Sequence, residues 1–170
     1  MNFIFTAPAS LMKTHWEFPG FRVHDTVPDG SCFFSALGHQ LLMHSYFDAH
    51  KDVKTMRSEI LNFIQSKPHL KADICERMTD QNVEQYLLSI LSPRTWADHN
   101  IITAAAFLYN VKIVIFKYGD AVPTEIGPAS SVQKVFLGYV SYNFGEHPTH
   151  YVSFISVIGD DVGKTVISMR

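Results

Sequence analysis

Residues Val27 to Leu42 read VPDGSCFFSALGHQLL, a turn pair followed by a hydroxyl residue, a lone cysteine and an amphipathic run. The pair Asp29-Gly30 marks a tight turn, and Ser31 is a good helix N-cap. After it Phe33, Phe34, Leu37 and Leu41 recur at helical spacing, which predicts a helix beginning at or beside Cys32. A cysteine in a first helical turn meets unpaired backbone N–H groups and the positive end of the helix dipole, and both stabilise a thiolate. The same turn can receive an oxyanion. The amides of Gly30 and Ser31 are candidate donors, because a glycine lets the backbone bend sharply with no side chain in the way. The alternative is a small buried hydrophobe, as most free cysteines are, with Asp29-Gly30 serving only the turn. A base elsewhere would separate the two readings.

Such a base stands in the late segment PTHYVSFISVI. There His150 opens a predicted strand and is the right residue type to take a proton from a thiol and return it to a leaving amine. Between turn and base, an Asp52 cap starts a second helix through Val53, Met56, Ile60, Phe63 and Ile64, which Pro68 ends. A third carries Val83, Tyr86, Leu87, Ile90 and Leu91 ahead of Pro93, and a fourth follows TWADHN with Ile101, Ala104, Ala105 and Leu108. From Val111 the pattern turns to short β-branched runs, VKIVIFKY, VQKVFLGYV and HYVSFISVI, separated by GDAVPTEIGPASS and NFGEHPT. Helices early and strands late predict an α+β fold, a small sheet packed against helices. The expected organisation is an N-terminal arm over 1–20 pinned by Trp16 and Phe18, one core domain over 21–158, and a polar tail over 159–170.

The 170 residues suit one domain that buries roughly 70% of its unfolded surface, without help from a disulfide or metal. A net charge of -2 offers little counterion-release drive, so no nucleic acid partner is expected. No apolar run reaches the roughly 20 residues that span a bilayer, so no membrane is expected either. Two cysteines far apart in sequence, Cys32 and Cys75, form no disulfide framework, and MNFIFTAPASLMK carries no secretory signal; both fit a reducing compartment, the cytoplasm. Among the histidines only His147 and His150 have close ligand spacing, and GDDVGKT falls short of a phosphate-binding loop, so no metal and no cofactor is expected. His39 and His44 belong on the solvated face of the first helix, and Cys75 reads as an inert, partly buried thiol.

PDGSCFFSAL resembles the Asp-Gly-x-Cys motif, with its following aromatic or leucine and phenylalanine, of the ovarian tumour (OTU) family of cysteine proteases, most of which are deubiquitinases. THYVSF resembles that family's late histidine followed by an aromatic residue, and VEQYLLSILSPRTWADHNIITAAAFLYNVKIVIF is similar to its middle segment. The similarity covers about Val27 to Val157. It implies a papain-like OTU domain with a small central β-sheet packed between helices. Cys32 would be the nucleophile, His150 the general base and acid, and Asp29 part of the loop that shapes the oxyanion site. It further implies hydrolysis of isopeptide bonds at the ubiquitin C-terminus through a cysteine thioester. The implied partners are ubiquitin, polyubiquitin chains or ubiquitin-like modifiers, met by a monomer in the cytoplasm, or in the host cytosol if the chain comes from a pathogen.

Many members carry Asp or Asn two residues after the histidine, on the same strand face, where it orients the imidazole. Here that position is Val152. Asp29 is the first replacement by motif, with Asp25, Asp98, Asn100 and Asn143 behind it, and Val152→Asn is expected to raise activity if the imidazole is poorly held. The valine also leaves open a catalytically inactive ubiquitin-binding module; a different papain-like acyl-transfer enzyme is a third reading. Trp96-Ala97 replaces the usual Trp-Gly turn, and Trp96 is expected to anchor core or loop. The thiol is expected near the surface, and segments 45–52, 66–80 and 118–131 are the expected surface loops that hold substrate.

Overall fold

The computed structural model describes residues 20–45, 51–78, 82–117, 120–140 and 150–157; the arm to residue 19, the tail from 158, His147 and Asn143 lie outside them. The described elements run β1 (Phe21–His24), α1 (Cys32–Met43), α2 (Val53–Ser66), α3 (Pro68–Arg77), α4 (Val83–Ser89), α5 (His99–Leu108), β2 (Lys112–Lys117), β3 (Thr124–Ile126), β4 (Lys134–Val140) and β5 (His150–Ser156). Three of the helices, α2, α4 and α5, start where a short polar side chain satisfies the first free amides. Asp52 accepts the Thr55 N–H at 2.9 Å, and Asn82 and Asp98 do the same for α4 and α5.

Pro68 does end α2, but it also occupies the first turn of α3, where its missing N–H is one of the helix's unpaired donors anyway. Residues 66–80, expected as a surface loop, are therefore mostly helix. Only Ile74 of α3 is buried, so the helix has no apolar stripe to betray it. The sheet also gains two strands that the pattern did not reveal. Its order is β1-β5-β4-β2-β3, with β2 and β4 parallel and the other pairs antiparallel. β1 and β3 are its short edges, and β3 falls within the expected loop 118–131.

Strand alternation divides the apolar residues between two faces. Ile113, Ile115, Val135, Leu137 and Tyr151 meet the main core, where α1, α2 and α5 contribute Phe33, Leu37, Leu41, Met56, Ile60 and Ile101. The other face carries Val140, Val152 and Phe154, with Phe21, Val23, Phe116 and Phe136 packed on them. Phe21 lies 5.5 Å, centroid to centroid, from each of Phe116, Phe136 and Phe154. That aromatic contact ties edge strand β1 into the sheet. The result is the α+β architecture expected from the pattern: a five-stranded mixed sheet with α1 lying on β4 and β5 and α5 on β2 and β3.

Candidate active site

Cys32 is the first residue of α1. Asp29 builds the turn in front of it: its carboxylate accepts the Ser31 N–H at 2.7 Å, and its carbonyl accepts the Cys32 N–H at 3.2 Å. Ser31 holds the N-cap position without capping by its side chain; its hydroxyl donates to the Pro93 carbonyl at 3.3 Å instead. This corrects the expected donor set for an oxyanion. The Ser31 N–H is engaged by Asp29, whereas the Gly30 N–H donates to nothing among the described residues and is the amide this turn leaves open.

The helix is fixed on the sheet by one buried amide. Gln40 donates to Ser153 Oγ at 2.8 Å and to the Phe154 carbonyl at 2.7 Å, while its own oxygen accepts the Phe136 N–H at 2.9 Å. A buried amide satisfied at both ends locks the rotation of α1 against β4 and β5. Cys32 is thereby aimed at the start of β5. Its Sγ accepts the Tyr151 N–H at 3.4 Å, and the Phe33 ring meets Tyr151 edge-on at 5.4 Å, which sets the thiol one residue along β5 from His150. The sulfur is not near the surface as expected: Cys32 is 1% exposed, as deeply placed as a packing residue but beside a base.

The carboxylate behind the imidazole is Asp25, not Asp29. His150 Nε2 lies 3.0 Å from Asp25 Oδ1. The reason is register. β1 pairs with β5 from Phe21↔Ser156 to His24↔Ser153, so one further step sets Asp25 opposite Val152 and another sets Thr26 opposite Tyr151. The Thr26 hydroxyl donates to the Tyr151 carbonyl at 2.7 Å and carries the pairing to that point. The acid absent from position 152 is thus supplied by its cross-strand neighbour. The other candidates serve elsewhere. Asp98 caps α5 and accepts the Tyr86 hydroxyl at 2.8 Å, and Asn100 accepts from Arg77 at 3.3 Å.

Burial opposes a charge on His150, but the hydrogen bond to Asp25, its carboxylate charge and the nearby Cys32 sulfur outweigh it and push the imidazole up to about 9. At neutral pH the ring is therefore an imidazolium. With Nε2 turned to Asp25, Nδ1 is the nitrogen left to serve the thiol. His39 is not on a solvated face; it bonds Ser153 Oγ at 2.8 Å and stacks on His24 at 3.8 Å. Cys75 is exposed rather than partly buried, and Trp96 is 48% exposed. Among the described residues no cluster of three His, Cys, Asp or Glu could hold a metal, and no helix is long and apolar enough to cross a membrane.

A cysteine at a helix start, an imidazole opening the adjacent strand and a carboxylate behind the ring are the constellation of papain-like thiol proteases. The chain belongs to the OTU-like cysteine protease family, whose profile matches residues 27–151. The OVARIAN TUMOR DOMAIN-containing deubiquitinating enzyme 10 of Arabidopsis thaliana is 34% identical over 121 residues, 68% of this chain and 32% of that protein. The chain spans about a third of that relative's length. Among solved structures, an OTU domain in complex with ubiquitin superposes with a TM-score of 0.63 at 16% identity, covering 79% of this chain and 69% of that one. An OTU deubiquitinase from Wolbachia pipientis gives 0.59 at 15% identity, over 82% of this chain and 91% of that one. At these identities the superpositions speak for the fold.

Proposed function

We propose that this chain is a deubiquitinase, a thiol hydrolase for the isopeptide bond between the ubiquitin C-terminus and a lysine amine. The observation that carries the reading is His150 held by Asp25 at the start of the strand whose next residue, Tyr151, donates its N–H to Cys32 Sγ. A relative named as a deubiquitinating enzyme and an OTU domain solved with ubiquitin support the choice of substrate. In the first half-reaction the Cys32 thiolate attacks the isopeptide carbonyl, and the Gly30 N–H and the start of α1 meet the developing oxyanion. The His150 imidazolium gives its proton to the leaving lysine amine, the C–N bond breaks, and a thioester remains. His150, now neutral, takes a proton from water as its oxygen adds to the thioester carbonyl; the C–S bond breaks to return the thiolate beside the imidazolium, and the ubiquitin C-terminus leaves as the carboxylic acid, which gives its proton to solvent. Asp25 holds the ring and stabilises its charge throughout.

The reading extends to ubiquitin chains and ubiquitin-like modifiers as substrates. It also includes a monomeric catalytic domain over 21–158 and a cytoplasmic setting, whose reducing conditions keep a nucleophilic thiol free. An inactive binding module had only Val152 in its favour, and Asp25 removes that support. The test is intact mass after mixing with ubiquitin that carries a C-terminal electrophile. The native chain is expected to gain one ubiquitin, and Cys32→Ala none. Folded protein that binds ubiquitin without forming the adduct would restore the binding module; no binding at all would point to another acyl substrate.

A further inference from the structure

The turn before the nucleophile rests on a buried cation. Arg57, on α2, is 1% exposed and lies with its guanidinium 3.9 Å over the Phe34 ring. Nη1 donates to the Ile90 carbonyl at 2.9 Å; Nη2 donates to the Gly30 carbonyl at 2.8 Å, to Ser31 Oγ at 3.2 Å and to the Thr95 carbonyl at 3.0 Å. These acceptors are carbonyls and a hydroxyl, not carboxylates. Burying a charge without an ion-pair partner costs several kcal/mol before hydrogen bonding offsets it, and an apolar side chain of similar size usually stabilises a core as well or better. The arginine therefore needs a reason other than stability.

Geometry supplies that reason. The Gly30 carbonyl and the Ser31 N–H are the two edges of one peptide plane. Arg57 holds the first and Asp29 holds the second, so the plane cannot rotate. The same guanidinium fixes residues 90 and 95, and the two backbones touch: a Cβ at Gly30 would lie 2.6 Å from the Pro93 oxygen and 2.9 Å from Arg94 Cα. We propose that Arg57 is the positioning residue of the nucleophile turn, which clamps the Gly30–Ser31 peptide so that the Gly30 N–H and Cys32 Sγ keep their places relative to His150. Burial draws the guanidinium below its ordinary range, and the nearby Asp29 and Cys32 only partly oppose that.

The inference rests on Cys32 as the nucleophile, so its test needs one readout that does not involve ubiquitin. Arg57→Lys keeps the charge but loses the fork that reaches both segments. Expected on a fluorogenic ubiquitin C-terminal conjugate is a loss of about 10-fold or more in kcat with KM held within about twofold. Hydrogen exchange should quicken in peptide 27–34 and stay slow in α2. Gly30→Ala, which leaves Arg57 in place and pushes the turn off Pro93, is expected to give the same split. In a Cys75→Ser background, alkylation of Cys32 by chloroacetamide should also slow in both variants. That holds whether or not ubiquitin is the substrate, which separates failure of this inference from failure of the deubiquitinase reading. Unchanged kcat and unchanged alkylation in folded variants would overturn the inference, and so would loss of the fold in both, which would make the arginine a stability residue.

Discussion

The two sides of the catalytic pair are built by different means. The thiol side is local: Asp29, Gly30, Ser31 and Cys32 are consecutive, and one Asx turn aims the cysteine. The imidazole side joins Asp25 to His150 across the chain, and only the antiparallel pairing of β1 with β5 brings them together. A local turn needs particular atoms at short range, and an isostere can provide them. A cross-strand contact needs the register, and here it also needs the charge. Substitutions on the two sides should therefore fail in different ways.

The largest effect is expected at Asp25. Asp25→Ala removes both the ring's acceptor and the charge behind it, and kcat/KM is expected to fall on the order of 10²-fold or more. Asp25→Asn keeps an acceptor oxygen and should fall less, yet both variants should change the pH profile alike. The carboxylate helps raise His150 to about 9, so the native alkaline limb is expected near that pH, where the imidazolium is lost. Without the carboxylate the limb should move to lower pH, toward the ordinary 6.5. Stability follows the same sign. A raised imidazole stabilises the fold fully below 6.5, and that contribution is lost as pH rises through about 9, so the native Tm should decline across the interval more than that of Asp25→Ala. An alkaline limb that stays in place in Asp25→Asn would assign the raised imidazole to Cys32 alone.

A smaller effect is expected at Asp29. Its carboxylate accepts one backbone N–H, a task an amide oxygen performs equally well. Asp29→Asn should stay within about twofold of native kcat/KM, Asp29→Ala should lose about 10-fold, and neither should move the alkaline limb. Full tolerance of asparagine at 29 beside intolerance of alanine would mark Asp29 as a turn former. An alkaline shift in Asp29→Asn would break the division between the two sides.

The same division explains what the sequence made legible. The start of α1 and the thiol on it could be read because turn, cap position and apolar spacing lie within a dozen residues. His150 could be read as a base, but its partner could not, since a four-residue edge strand announces neither its neighbour nor its register. Asp25 ranked below Asp29 because the motif draws the eye to the nearer acid. Arg57 is hidden for another reason: a charged residue on a helix ordinarily faces solvent. Yet it lies beside Met56 and three residues before Ile60, within the buried stripe, and a cation there was the one available signal. α3 and β3 bury too little to impose any period.

Val152 is where the comparison can be made sharpest with the least expected change. On sequence grounds Val152→Asn should raise activity by restoring an acceptor to the strand of His150. In the structure that acceptor is already present, on the strand opposite, and the valine packs into the apolar face with Val140 and Phe154. An asparagine there would place an amide among aromatic rings while finding Nε2 of the imidazole already engaged. The expected outcome is a Tm lowered by the equivalent of about 1–3 kcal/mol and a kcat/KM unchanged within about twofold. The informative variant is the double one. If asparagine at 152 can replace the cross-strand acid, Val152→Asn should restore activity to Asp25→Ala while doing nothing for the native chain. Restoration would show that the two positions are alternative anchors for one ring, set opposite each other by the pairing of β1 and β5. Its absence would show that the carboxylate's charge, and not merely an acceptor within reach, is what His150 requires.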